Sequence, residues 1–212
     1  MGEKKLSSEN RSAILQRSDN GVFDIIALAA SAGGLKALSQ VLAALPADFP
    51  ASIVVVQHLD PRYRSLMSEI LSRRTALQVK QAEEGDHLTA GTVYIAPPNR
   101  HLLVNPDSTL SLSQSELVHF VRPSADLLFE SVAASYKDRA IAVVLSGTGS
   151  DGSMGVKAIK KMGGRVIVQD EKSSEFFGMP SAAVQTGSVD FILPLDEIPS
   201  ALVTLVVKGD TP

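Results

Sequence analysis

The sequence predicts an α/β fold: a mainly parallel, doubly wound sheet with helices on both faces and an added antiparallel β-hairpin. Three observations carry this expectation. Apolar runs of strand length recur along the chain at 23–29, 52–57 and 140–145. Two of them are followed at once by a glycine-bearing turn, and helical periodicity comes next in all three cases. The apolar runs carry no polar alternation, which is the pattern of parallel strands buried on both faces.

The first unit is VFDIIALAASAGGLKALSQVLAAL, from Val22 to Leu45. It reads as a strand, a tight turn with Ser31, Gly33 and Gly34, and a helix whose core face carries Leu35, Leu38, Val41, Leu42 and Leu45. A second strand, SIVVVQ, ends at His58, and a helical pattern follows over 65–73. Val79 and 85–92 read as irregular or short extended structure. The run VYIA is a strand stopped by Pro97 and Pro98. Residues 102–104 and 110–112 flank Asn105, Pro106, Asp107 and Ser108, which is turn chemistry for a hairpin, and this middle part is expected to be antiparallel. The stretch 112–122 has little periodicity and reads as a long surface loop of functional length. Ser124 is placed to cap a helix with Leu127, Leu128 and Val132 on its inner face. The strand AIAVVL then runs into SGTGSDGSMG, after which come a helix through Ile159, a strand over 165–169, a short helix over 180–185, a strand over 191–193 and a closing helix over 195–207.

Composition narrows the function. The formal net charge of -3 and pI near 5.8 oppose a nucleic-acid footprint, and the absence of cysteine removes thiolate chemistry, disulfides and cysteine-ligated metal. No run has the length and polarity of a membrane span or a signal peptide, so membrane insertion is not expected and a cytoplasmic location is. Residues 1–20 are polar and read as a mobile tail, leaving 21–208 as one domain.

In open parallel sheets, ligands bind beyond the carboxyl ends of the strands. Ser31, His58 and Asp151 each fall just after a strand end, and serine, histidine and aspartate are the set required for nucleophilic acyl transfer. Singly, each has a plainer reading. Ser31 can cap a helix, His58 can be a buried hydrogen-bonding group, and Asp151 can be a turn residue. Coincidence at three strand ends favours a triad. His87, His101 and His119 lack such placement and read as surface residues; no metal-binding spacing appears, so neither a metal nor a cofactor is expected. The glycines of SGTGSDG also allow a phosphate or nucleotide site, but the P-loop lysine is missing.

Six segments are recognisable together: AASAGG (29–34), VVQHLDP (55–61), YIAPPNRHL (94–102), RPSADLLFESVA (122–133), VVLSGTGSDGSMG (143–155) and FGMPSAAV (177–184). In order and spacing they resemble the catalytic domain of the chemotaxis protein-glutamate methylesterases of the CheB type. The resemblance implies hydrolysis of glutamate γ-methyl esters on the cytoplasmic helices of chemoreceptors, with deamidation of selected glutamines. It also implies Ser31 as nucleophile, His58 as base, Asp151 as orienting acid, and the backbone N–H groups of Ala32 and Thr148 as oxyanion hole. Ala32 and Thr148 depart from the residues most members carry there, and resemble a branch without a receiver domain that is often fused to the methyltransferase. A receiver has no room in this sequence, so regulation would fall to a partner, such as a methyltransferase or another signalling protein, or be absent. A non-catalytic adaptor with an esterase fold is the rival from another functional class.

Overall fold

A computed structural model describes residues 23–59 and 65–208; the expected tail over 1–20, and Asp60 and Pro61 of the second motif, lie outside the described residues. Strands β1 (Ile25–Ala30), β2 (Ser52–Gln57), β3 (Gln78–Gln81), β4 (Thr92–Ile95), β7 (Ala140–Val144), β8 (Arg165–Gln169) and β9 (Phe191–Leu193) form one sheet in the order β3-β4-β2-β1-β7-β8-β9. Every pairing in it is parallel. Strands β5 (His101–Val104) and β6 (Leu110–Ser113) form a separate antiparallel hairpin, with His101 opposite Ser113.

β1 is buried at all six positions, and its alternate residues feed two cores. Ile26, Leu28 and Ala30 pack on one face with Leu38 and Leu42 of helix α1 (Gly34–Ala43), Leu71 of α2 (Met67–Ser72) and Leu202 of α6 (Ile198–Lys208). Ile25, Ala27 and Ala29 pack on the other. There they meet Phe129 of α3 (Ala125–Tyr136), Ile159 of α4 (Ser153–Lys161), Ala183 of α5 (Gly178–Gln185), and Leu102 and Leu110 of the hairpin. The period-2 geometry of a strand with two apolar faces is thus satisfied by helices on both sides.

One expectation for the middle of the chain needs correction. Val79 lies in a short extended segment, the edge strand β3, but β3 and β4 join the main sheet in parallel, and among the described strands only β5 and β6 are antiparallel. The mostly polar QVKQ of β3 is half-buried to exposed because one side of an edge strand faces solvent.

The strand order places β1 in the centre. The chain passes from β1 to β2, goes out to the edge strand β3, comes back to β4 between them, and then crosses to β7 on the other side of β1. The order therefore reverses between β1 and β7, and the turns leaving their carboxyl ends carry Ser31 and the 146–152 loop. This is where an open α/β sheet leaves a crevice.

Candidate active site

Ser31 sits in the turn between β1 and α1, clipped to both neighbouring strands. Its N–H donates to the Ser146 carbonyl (3.0 Å) after β7, and its carbonyl accepts from Gln57 Nε2 (2.7 Å) at the end of β2. Gln57 Nε2 also donates to the His58 carbonyl (3.0 Å), so one buried amide ties the backbone of the serine to that of the histidine. Gly33, at φ 75°, closes the turn where a Cβ would stand 2.7 Å from Ser146 Oγ and 2.9 Å from Glu175 Cβ. Both conformation and space require glycine there.

His58 and Asp151 come together from 93 residues apart: His58 Nε2 lies 2.8 Å from Asp151 Oδ2. The histidine side chain retains 12% of its accessibility and the aspartate 4%, so the ring stands between solvent and a buried charge. With Nε2 facing the carboxylate, Nδ1 is the ring nitrogen the carboxylate leaves free. Among the described residues, the Ser31 hydroxyl makes no hydrogen bond to His58, so the structure closes the histidine–aspartate half of the constellation and leaves the serine half open.

The Asp151 carboxylate is surrounded by donors. Oδ1 accepts from Ser124 Oγ (2.8 Å) and the Asp126 N–H (3.1 Å), while Oδ2 accepts from the Ala125 N–H (2.6 Å) as well as from His58. These backbone donors are the first turn of α3, whose positive end favours an anion. Burial alone pushes the Asp151 carboxyl up, but the His58 hydrogen bond and charge, with the donors of α3, outweigh it and hold the group below the usual carboxylate range.

α4 is capped in return. Asp126 Oδ1 accepts from the N–H groups of Met154 (2.9 Å) and Gly155 (2.7 Å), so each of the two helices receives its terminal carboxylate from the other's N-terminal region. Burial, together with the nearby Asp151 charge, raises the Asp126 carboxyl despite these two donors. The remaining oxygen, Oδ2, has no hydrogen bond, although His119 Nε2 approaches to 3.2 Å as an ion-pair contact. We read this contact as electrostatic, because His119 is exposed and its approach does not meet hydrogen-bond geometry. The α4 N-terminus is the place where the glycine-rich loop would have held a phosphate, and a protein carboxylate fills it. This geometry counts against a nucleotide site there.

The two N–H groups expected to hold an oxyanion, at Ala32 and Thr148, donate to no protein acceptor among the described residues. The Thr148 loop is fixed from behind: the Gly147 N–H donates to Phe176 O (2.9 Å), and the Met179 N–H donates to Gly147 O (2.8 Å). A Cβ on Gly178 would stand 3.0 Å from both Gly147 O and Gly149 N, so the FGMP segment is shaped to let α5 press against this loop.

His101 departs from its surface reading. It is fully buried; Nδ1 accepts from the Ser124 N–H (3.1 Å) and Nε2–H donates to Glu116 O (3.0 Å), which fixes the neutral tautomer. Burial is the main cause that lowers its proton affinity, aided by the Arg122 charge. Position-only reasoning missed it because its burial comes from the hairpin lying against α3. His87 and His119 are exposed as expected. Ser124 caps α3 as expected, but its bond to Asp151 was not foreseen, and Gln57, Asp126, Ser146 and Gln169 were also missed. For Gln57 and Gln169 a signal exists: each is a polar residue closing an otherwise apolar strand, and each is buried with its amide turned to the site loops.

Comparison with known proteins identifies the family of the chain. The CheB methylesterase family model matches residues 26–202. The chain belongs to the CheB methylesterase family. It is 41% identical over 183 residues to a Leptospira interrogans protein with the provisional name protein-glutamate methylesterase/protein-glutamine glutaminase, covering 86% of this chain and 95% of that one. It is 44% identical over 184 residues to the protein-glutamate methylesterase FrzG of Myxococcus xanthus, covering 87% of this chain but 55% of the relative. The chain thus spans nearly all of the first and about half of the second. The crystal structure of the Thermotoga maritima CheB methylesterase catalytic domain superposes with a TM-score of 0.84 at 37% identity, covering 87% of this chain and 99% of that one. The methylesterase fold expected from the sequence is the one observed.

Proposed function

We propose that this methylesterase hydrolyses glutamate γ-methyl esters on chemoreceptor helices, using Ser31 as nucleophile, His58 as base and Asp151 as the orienting carboxylate. The observation that carries the reading is the 2.8 Å pairing of His58 with a buried, fully hydrogen-bonded Asp151 beside the Ser31 turn. Ser31 Oγ attacks the ester carbonyl while His58 Nδ1 takes its proton, and the imidazolium is stabilised through Nε2–H by Asp151. The tetrahedral oxyanion is received by the N–H groups of Ala32 and Thr148. Collapse breaks the C–O bond to methoxide, which leaves as methanol with the proton from His58. Water, deprotonated by the same histidine, then cleaves the acyl-serine and leaves a glutamate carboxylate. A glutamine side chain follows the same course with ammonia as leaving group, which supports deamidation as a second reaction on the same site.

No described helix is long and apolar enough to cross a membrane. A site that works on receptor helices from the cytoplasm is in keeping with this reading, with a methyltransferase or another signalling protein as a further partner.

The test is methanol release from methylated receptor by purified protein. Wild type releases methanol, and Ser31→Ala lowers turnover by about 10⁴-fold or more, as loss of a triad nucleophile does. Full activity in Ser31→Ala overturns the assignment; a fluorophosphonate that fails to label Ser31 in folded protein favours the non-catalytic adaptor.

A further inference from the structure

The segment after β6 ends in a turn that the catalytic geometry does not use. Val118 and Val121 exchange two hydrogen bonds, Val118 N–H to Val121 O (3.2 Å) and Val121 N–H to Val118 O (2.9 Å). His119 and Phe120 are therefore the two central residues of a tight hairpin turn, at φ 49° and 64°. Such turns favour asparagine and glycine, because the left-handed conformation crowds a Cβ. An aromatic residue here works against the backbone.

The ring gains no burial in exchange: Phe120 is 95% exposed. Nor is the turn loose. Arg122 donates to the carbonyls of Gln114 (3.0 Å) and Ser115 (2.6 Å) and to Asn99 Oδ1 (2.7 Å from Nη2), and His119 stands over Asp126. An aromatic ring is held in solvent by a disfavoured turn that is braced from below. Its position is also specific, because Phe120, Leu117 and Leu59 line the same concavity as His58. Leu117 and Leu59 are themselves 53% and 37% exposed.

We propose that Phe120, with Leu117 and Leu59, docks the apolar flank of the protein segment that carries the ester into the His58 cleft. The proposal rests on the methylesterase reading and names how the substrate is held. A methyl ester is too small to bind on its own area, so affinity has to come from residues flanking it. Because the backbone that presents the aromatic is already braced, little main chain has to be ordered on binding. Leu59 and His58 line both this concavity and the adjoining one that holds Ser31, and this continuity selects the substrate segment, an amphipathic helix, over an unrelated partner.

The experiment compares wild type with Phe120→Gly and Phe120→Leu on two substrates, a methylated receptor fragment and p-nitrophenyl acetate. Glycine suits φ 64°, so Phe120→Gly keeps the turn and its melting temperature does not fall. The expected result is a KM for the receptor fragment raised about tenfold, a fold-change typical of a lost aromatic anchor. kcat and small-ester hydrolysis change less than about twofold, and Phe120→Leu recovers part of the KM. An unchanged KM overturns the proposal, as does an equal loss on both substrates. A wild-type dimer that Phe120→Gly dissociates assigns the face to a second copy and also overturns it. If wild type itself releases no methanol while fluorophosphonate labels Ser31, the methylesterase reading fails first and the docking role falls with it.

Discussion

Gln57 shows how much a single side chain carries at this site. Its amide nitrogen donates to the carbonyls of both Ser31 and His58, while its Oε1 is buried without a partner. A buried amide oxygen left unpaired is unfavourable, so the residue is maintained for what its nitrogen does. Gln57→Leu keeps the size and removes both donors. It should lower stability by about 1–3 kcal/mol, read by urea denaturation, because two carbonyls lose their partner. It should also reduce kcat more than KM, since the serine and histidine backbones are no longer tied. Ser31, His58 and Asp151 could be singled out as candidates in the sequence because they are polar residues that follow apolar strands, and the structure pairs His58 with Asp151. Gln57 was less legible, because it falls inside the strand. Asp126 was hidden more completely: within a helical pattern, an aspartate in the first turn looks like an ordinary complement to the helix dipole, and only the packing of α3 on α4 reveals which helix it caps.

At the scale of elements, α3 and α4 form a reciprocal pair. Asp151, just ahead of α4, closes the start of α3, and Asp126, in the first turn of α3, closes the start of α4. Asp126→Ala leaves the Met154 and Gly155 N–H groups without an acceptor and loosens the turn that carries Asp151. The expected loss is about 1–2 kcal/mol in stability, as for a deleted cap, together with a lower kcat. Asp126→Asn retains an acceptor oxygen and should recover most of both; equal damage in the two variants would assign the effect to the charge and not to the cap. The helices themselves were readable from periodicity, as were the strands feeding them. Their mutual capping was not, because it joins residues about 28 positions apart that meet only once the strand between them in sequence, β7, has brought the two helices to the same face of the sheet. A related limit explains β3: a four-residue edge strand with a single apolar position, Val79, is hard to tell from a loop.

For the molecule as a whole, acidification should act through groups that the fold keeps in one protonation state. His101 is held neutral, so its folded proton affinity lies below the ordinary histidine value, and the unfolded chain binds the proton more readily. The stability this contributes is present above about pH 6.5 and is lost as the pH falls from there toward the folded value. Asp151, lowered in the folded protein, adds a second loss below about pH 4, whereas the raised Asp126 acts in the opposite direction over the acidic range. Urea midpoints measured from pH 8 to pH 5 should therefore decline for wild type. His101→Gln, which cannot take up the proton, should flatten that decline even though it starts from a lower midpoint. An identical slope in the variant would remove His101 as its source.

Catalytic groups are commonly ones a protein would be more stable without, since charge and strain at a site oppose packing. The turn bearing Phe120, though no part of the catalytic geometry, is strained in the same sense, with its two central residues at positive φ. Asp151 does not fit that description. The charge assigned to orienting His58 also closes a helix and satisfies two backbone donors and a hydroxyl, so losing it weakens the fold as well as the chemistry. Decay of activity and decay of structure are coupled at this residue, and a folded but inactive variant is easier to reach through Ser31 than through Asp151.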